Sequence, residues 1–291
     1  MHHRLASAVF VACFMMVGSP DVMKGQSNDS LLYLIDNDLI EDEQQKYDLL
    51  CRVIQDMDDA ERRIHYSNRA IELAEKLDMM PALPYLAKGE AYLDAGKFAL
   101  ALECFIRVAD YYEKNDAGSK LGHAYVLMAE TYNLQGNHEN EKRYLQNAIE
   151  IFEHVKDSLS LAYALHNLGY SNYSNGQYDS ALIVFTKTLD LFEKLDNPYG
   201  TYSYFVCLGN LGLVHSRLSD FETAEEYLLT AIDSLALYGD ERAVPDFIPL
   251  VRKTRSLQGR DISTKLLIPD IFFQYIQRST TAGGYEITRR P

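Results

Sequence analysis

The sequence predicts an all-α fold, a solenoid of antiparallel helix hairpins, on three observations. Turn formers are scarce, with 16 glycines and 8 prolines in 291 residues, against about 12% in an average protein. Apolar residues recur at three- and four-residue intervals, which is the helix period. The pattern also repeats: Gly96, Gly136 and Gly176 lie 40 residues apart, and a period of this size marks an array of stacked units. Hydrophobic residues at 47% and charged residues at 24% exclude wholesale disorder.

The match extends around each glycine. The first copy has Gly89, Tyr92, Gly96, Phe98, Ala101 and Phe105, and the second has Ala129, Tyr132, Gly136, His138, Leu145 and Ala148. In the third, Leu168, Gly169, Gly176, Tyr178, Ala181, Phe185 and Leu189 stand at the same offsets. A fourth, with Leu211, Gly212, Ser219, Phe221, Ala224, Leu228 and Ala231, is displaced by 43 residues. This pattern resembles the tetratricopeptide repeat over about residues 82–237, with a degenerate extension back to about 43. The resemblance implies a right-handed superhelical solenoid of antiparallel helix hairpins. The period exceeds the usual one of about 34 residues, so the helices should be longer by a turn or two. Asn172 and His215 replace an expected aromatic, and Glu141 an expected small residue, so those sites should pack less tightly.

Within each repeat the first helix carries a core stripe, Tyr125, Met128, Ala129 and Tyr132 in one copy and Leu165, Leu168, Gly169 and Asn172 in the next. Gly89, Gly169 and Gly212 let two helix axes approach, as do Ala101, Ala181 and Ala224 on the second helix. Gly96, Gly136 and Gly176 fall just past the first helix, where a glycine adopts positive φ without steric cost. One hairpin cannot bury both faces, and stacking makes a continuous core. The expected organisation is a signal segment at 1–25, a flexible leader at 26–42 and a degenerate repeat at 43–81. Repeats follow at about 82–118, 119–158, 159–199 and 200–239, then a capping helix at 240–258 and an apolar segment with a loose tail at 259–291. Leu266–Ile276 packs on the last hairpin in one reading and meets a partner or a second copy of the chain in the other.

The chain begins with a basic stretch and an apolar run, Leu5 to Gly18. That run is too short to span a bilayer, which takes about 20 residues, and suits a secretory signal cut after Ser19 or Gly25. The expected location is therefore exported: periplasmic, envelope-associated or secreted, with no membrane span in the mature chain. The net charge of −14, from 28 basic and 42 acidic residues, opposes nucleic acid as a partner.

Motifs of catalysis are missing from the sequence: there is no Walker loop, no G-x-G-x-x-G, no H-E-x-x-H and no G-x-S-x-G. The six histidines beyond the signal are scattered singly, and Cys51, Cys104 and Cys207 lack metal or disulfide spacing. A non-enzyme is expected, with no cofactor and no metal.

On the third copy's first helix, Tyr163, His166, Tyr170 and Tyr173 form a second stripe beside the core stripe. In a tetratricopeptide stack that stripe lines the concave groove. Other copies contribute Glu90, then His123, Glu130 and Asn133. Tyrosine and histidine offer apolar bodies with polar tips, suited to a peptide segment. Relatives that clamp a chaperone's carboxyl terminus use lysines and asparagines here, whereas this chain has Leu86, Glu90, His123 and Tyr163. The expected role is a non-catalytic scaffold binding a protein or peptide segment. The alternative is the input module of a bacterial signalling protein, a sensor kinase or nucleotide cyclase.

Overall fold

A computed structural model of the protein describes residues 28–195, 198–237, 251 and 254–256. Among the described residues every regular element is an α-helix. The chain divides into two compact units, one ending at Cys104 and one starting at Phe105.

The first unit contains α1 (Asn28–Asp36), α2 (Glu43–Gln55), α3 (Ala60–Lys76) and α4 (Ala82–Asp94). Each packs on the next, and α2 also reaches α4. Leu31, Leu32 and Ile35 from α1, Leu50, Val53 and Ile54 from α2, and Ala70 and Ala74 from α3 form its core. Asp42 and Asp59 start α2 and α3 by accepting from the N–H of Gln45 at 2.8 Å and Arg62 at 2.7 Å, the usual relief for free N-terminal donors. The expected leader at 26–42 is corrected by α1. Polar residues at 26–30 hide the spacing of Leu31, Leu32 and Ile35, which puts one buried face on a short helix.

The division falls within α5 (Phe98–Lys114). The second unit continues with α6 (Gly118–Leu134), α7 (His138–Val155), α8 (Ser158–Ser174), α9 (Tyr178–Glu193), α10 (Pro198–Arg217) and α11 (Phe221–Leu237). Three hairpins, α6/α7, α8/α9 and α10/α11, stack in order. Direct contacts of α6 with α8 and of α8 with α10 put the first helices of the hairpins in one layer. Phe152, Phe185, Phe192, Leu145, Leu228 and Leu235 are fully buried.

The two kinds of helix differ. On α9, Ala181, Phe185, Thr188 and Phe192 are buried at helical spacing, so one face is buried. On α8 the burial is continuous from Ala162 to Asn167, because hairpin partners and neighbouring first helices cover it on several sides. Close approach explains its glycine: a Cβ on Gly169 would lie 2.8 Å from the Phe185 ring.

Helix ends follow a period of 20 residues. Gly96, Asp116, Gly136, Lys156 and Gly176 all have positive φ, between 51° and 73°. At each, the next residue's N–H reaches back to close the last turn, as Asn137 does to the Tyr132 carbonyl at 2.9 Å and Asp157 to that of Phe152 at 3.0 Å. This is the Schellman arrangement, which satisfies carbonyls otherwise left open at a helix end. Gly96, Gly136 and Gly176 end first helices, whereas Ser219, at φ 66°, ends the first helix of the fourth copy, and Asp116 and Lys156 end second helices, all three without a glycine.

Of the expected cap, only Val251 and residues 254–256 are described. Val251 joins the core of α10 and α11, Thr254 donates to Ser216 Oγ at 3.4 Å, and Arg255 pairs with Glu225 at 2.7 Å. The expected signal segment 1–25, residues 196–197 and the apolar segment Leu266–Ile276 lie outside the described residues.

Candidate functional site

The expected stripe on α8 divides into a buried half and an accessible half. Tyr163 is 9% exposed and His166 1%. The Tyr163 hydroxyl meets Ser203 Oγ of α10 at 2.9 Å, and its ring packs edge-on against Phe192. His166 lies against the Phe185 ring, with Nε2 2.8 Å from Asn210 Nδ2. The expectation that both face a groove is thus corrected, since α10 packs directly on α8 and covers them. Burial pushes the His166 imidazole down to about 4, the adjoining Asn167 side chain acting weakly the other way.

One and two turns further along α8 the stripe opens. Tyr170 and Tyr173 are half-buried, their ring centroids 6.3 Å apart, and Tyr178 at the start of α9 adds a third ring 5.7 Å from Tyr173. Arg217, in the last turn of α10, donates from Nε to the Tyr173 hydroxyl at 3.2 Å, its guanidinium carbon 5.8 Å from the ring centroid.

On α6, His123 is exposed and its Nε2 lies 3.0 Å from Ser160 Oγ. Ser160 and Ser119 both donate to Asp157 Oδ2, at 2.9 and 2.8 Å. Asp157 caps α8 through the Ser160 N–H, so this Ser/His/Asp group fastens the entry of α8 to α6. Asn133 donates to Glu141 Oε1 at 2.8 Å, and His138 Nδ1 lies 3.1 Å from Oε2. Glu141 is buried at a position where the other copies carry alanine, and these two partners compensate its carboxylate. Glu130 is half-buried.

Glu90, on α4 of the first unit, faces Arg63 of α3 at 4.0 Å, while Asp94 faces the same guanidinium at 3.7 Å. Arg63 also donates to the Met57 carbonyl. Burial pushes the Glu90 carboxyl up to about 7, Arg63 opposing and Asp94 adding to the rise. Within the second unit the expected residues separate into distinct local groups. The structure joins Tyr170 and Tyr173 to Tyr178 and Arg217, and ties the rest into local contacts.

Spacing within a single helix does not mark Ser203, Asn210 or Arg217 as site residues. Ser203 and Arg217 stand 43 residues after Ser160 and Ser174 of α8, so the displacement of the fourth copy is the signal that finds them. The first unit has a cleft of about 470 Å³ lined by Asp38, Glu41, Glu72, Lys46, Arg69 and Lys76 among others. Lys46 is bonded to Asp38 and Arg69 to Asp36, so part of its charge is already paired. Among the described residues no group of three or more His, Cys, Asp or Glu is placed to hold a metal. Burial raises the Cys51 thiol to about 11 and Cys207 well above its ordinary range, which keeps both from acting as nucleophiles. No described helix is long and apolar enough to cross a membrane.

Residues 120–194 and 160–236 each match the tetratricopeptide repeat family. These hairpins are tetratricopeptide repeats. No curated protein sequence matches the chain. Among solved structures the fold is similar to BtubC from P. vanneervenii, at 19% identity and TM-score 0.60, covering 84% of this chain and 94% of that one. A Rap protein complexed with competence and sporulation factor aligns at 17% identity and TM-score 0.58, over 83% of this chain and 68% of that one. A signal transduction ATPase with numerous domains and a tetratricopeptide repeat sensor, from Pyrococcus horikoshii, aligns at 16% identity and TM-score 0.66, over 83% of this chain and 38% of that one. Stacked tetratricopeptide repeats present extended surfaces to other proteins, an architecture suited to a protein-interaction scaffold.

Proposed function

We propose that the chain is an exported, non-catalytic scaffold that takes a peptide or protein segment where the C-terminal ends of α8 and α10 meet. The observation that carries this reading is the group of half-buried rings, Tyr170, Tyr173 and Tyr178, standing beside a continuous core. Such rings supply apolar area at small entropic cost and keep a hydroxyl for hydrogen bonding. Support for a bound partner comes from the Rap protein of similar fold, which is complexed with competence and sporulation factor. Export rests on the basic start and apolar run Leu5 to Gly18. Intact mass of the protein from its host checks that part: loss of residues 1–19 or 1–25 is expected, and a retained Met1 would sink it.

Selection from a displayed library of random twelve-residue peptides tests the binding reading. The wild-type chain should enrich a family of related peptides, and Tyr170→Ala combined with Tyr173→Ala should weaken them by roughly tenfold or more with the helical spectrum retained. Absence of enrichment, or equal binding by the folded double variant, would overturn it.

A further inference from the structure

In a chain of net charge −14, Arg217 is placed unlike an ordinary surface cation. Its residue is exposed, and among the described residues no carboxylate lies within ion-pair distance of it; its hydrogen-bond partner is the Tyr173 hydroxyl. A basic residue in the last turn of a helix is favoured by the helix dipole, which accounts for a positive charge there. The dipole does not account for the lock onto Tyr173, a residue of α8 that precedes Arg217 by 44 positions. That bond uses Nε–H and fixes the plane of the guanidinium, while the donors on Nη1 and Nη2 meet no described acceptor. A guanidinium held in this way is pre-organised, because less side-chain freedom is lost when it binds.

The free edge of such a fork matches a carboxylate, which can accept two parallel N–H bonds. The surroundings supply the rest of the recognition: Tyr170 and Tyr178 flank Tyr173, and Leu213 lies half-buried one turn before Arg217 on α10. Charge complementarity selects the occupant, since the overall acidity repels anionic segments everywhere except where a cation stands uncompensated. We propose that Arg217, braced on Tyr173, anchors a carboxylate of the bound partner, so that the segment taken by this scaffold is an acidic peptide with an apolar or aromatic side chain next to the acid. This rests on the reading of the tyrosine group as the binding surface and names the chemistry of its partner.

The test uses the peptides enriched on the wild-type chain, synthesised in two forms, one as selected and one with every Asp and Glu replaced by Asn and Gln. Binding is measured by fluorescence anisotropy at low and at physiological salt. Enriched peptides should carry an acid beside Leu, Phe or Tyr, and the amide form should bind wild type roughly tenfold more weakly. Arg217→Gln should lose the same factor for the acidic form and show no difference between the two forms. Arg217→Lys, which keeps the charge and lacks the fork, should fall between, and added salt should weaken only the acidic form on wild type. The melting temperature of Arg217→Gln should match wild type, since the bond it removes is exposed. Enriched peptides that bind equally in both forms, or equally to Arg217→Gln, overturn the carboxylate anchor and leave the tyrosine surface standing. Failure to enrich any peptide overturns both.

Discussion

Asn210 Nδ2 lies 2.8 Å from His166 Nε2, joining α10 to α8 across 44 residues of sequence inside the layer of first helices. An amide nitrogen donates, so Nε2 accepts and the neutral ring carries its proton on Nδ1. Among the described residues that Nδ1 makes no well-formed hydrogen bond, the adjacent Asn167 side chain offering it only a poorly aligned contact. The seam between the third and fourth repeats therefore has a buried imidazole that, among the described residues, faces no charge to support its protonated form.

Stability should consequently fall in acid. Burial lowers the folded-state value of His166 to about 4, against an unfolded value of about 6.5. The contribution is fully present above the unfolded value and is lost as pH drops from about 6.5 towards about 4, amounting to about 3 kcal/mol at most. His166→Gln, which keeps an acceptor for Asn210, should flatten this part of the profile. Urea midpoints of both proteins at pH 7.5, 6 and 5 decide it: parallel curves would mean that His166 titrates as it does in the unfolded chain.

Glu90 should act in the opposite direction. Its folded-state value, pushed up to about 7 by burial, lies above an unfolded value of about 4.3. Its contribution is present below the unfolded value and is lost as pH rises through about 7. Arg63 cannot compensate both carboxylates fully, because it also faces Asp94 at 3.7 Å. Glu90→Gln should thus stabilise the protein above pH 7 by about 1–2 kcal/mol and make little difference at pH 5. Thermal melts of the pair at pH 5 and 8 check this, and a variant less stable at pH 8 would show that the Arg63 attraction outweighs burial.

Periodicity made the second unit legible, because Gly136, Gly169 and Gly176 mark a turn, a close helix contact and another turn, and each acts locally. Helix α1 was hidden, since its three buried residues follow a polar stretch and belong to no repeat. The site was less legible for a different reason. A helical wheel separates Tyr163 and His166 from the core stripe, yet whether that second face is open depends on how closely α10 approaches α8. That distance is set by residues 40 to 44 positions away, Ser203 and Asn210. Arg217 is not legible in the sequence because its meaning lies in the bond to Tyr173, which no spacing within one helix encodes.

Gly169 should tolerate no larger side chain. A Cβ there would sit 2.8 Å from the Phe185 ring, which is itself fully buried. Gly169→Ala should destabilise the fold by about 1–3 kcal/mol and Gly169→Leu by more. Calorimetry of the two variants checks the order, and a Gly169→Leu protein that melts with wild type would refute the packing of α8 on α9.

Gly136 and Lys156 occupy equivalent helix ends and should answer in opposite senses to exchange of their side chains. Both are left-handed, at φ of 70° and 59°. A Cβ on Gly136 would meet nothing within 4 Å, so any cost of Gly136→Ala comes from the backbone conformation rather than from crowding. That cost is about 1 kcal/mol. Lys156 already bears the strain, and its N–H and that of Asp157 close the α7 end on the carbonyls of Glu153 and Phe152. Lys156→Gly removes the strain, keeps both backbone bonds and gives up some chain entropy, for an expected gain of about 0.5–1 kcal/mol. Urea unfolding of the two single variants measures both signs. If both prove destabilising by similar amounts, entropy rather than the left-handed conformation governs these ends, and the 20-residue rhythm of turns owes little to glycine.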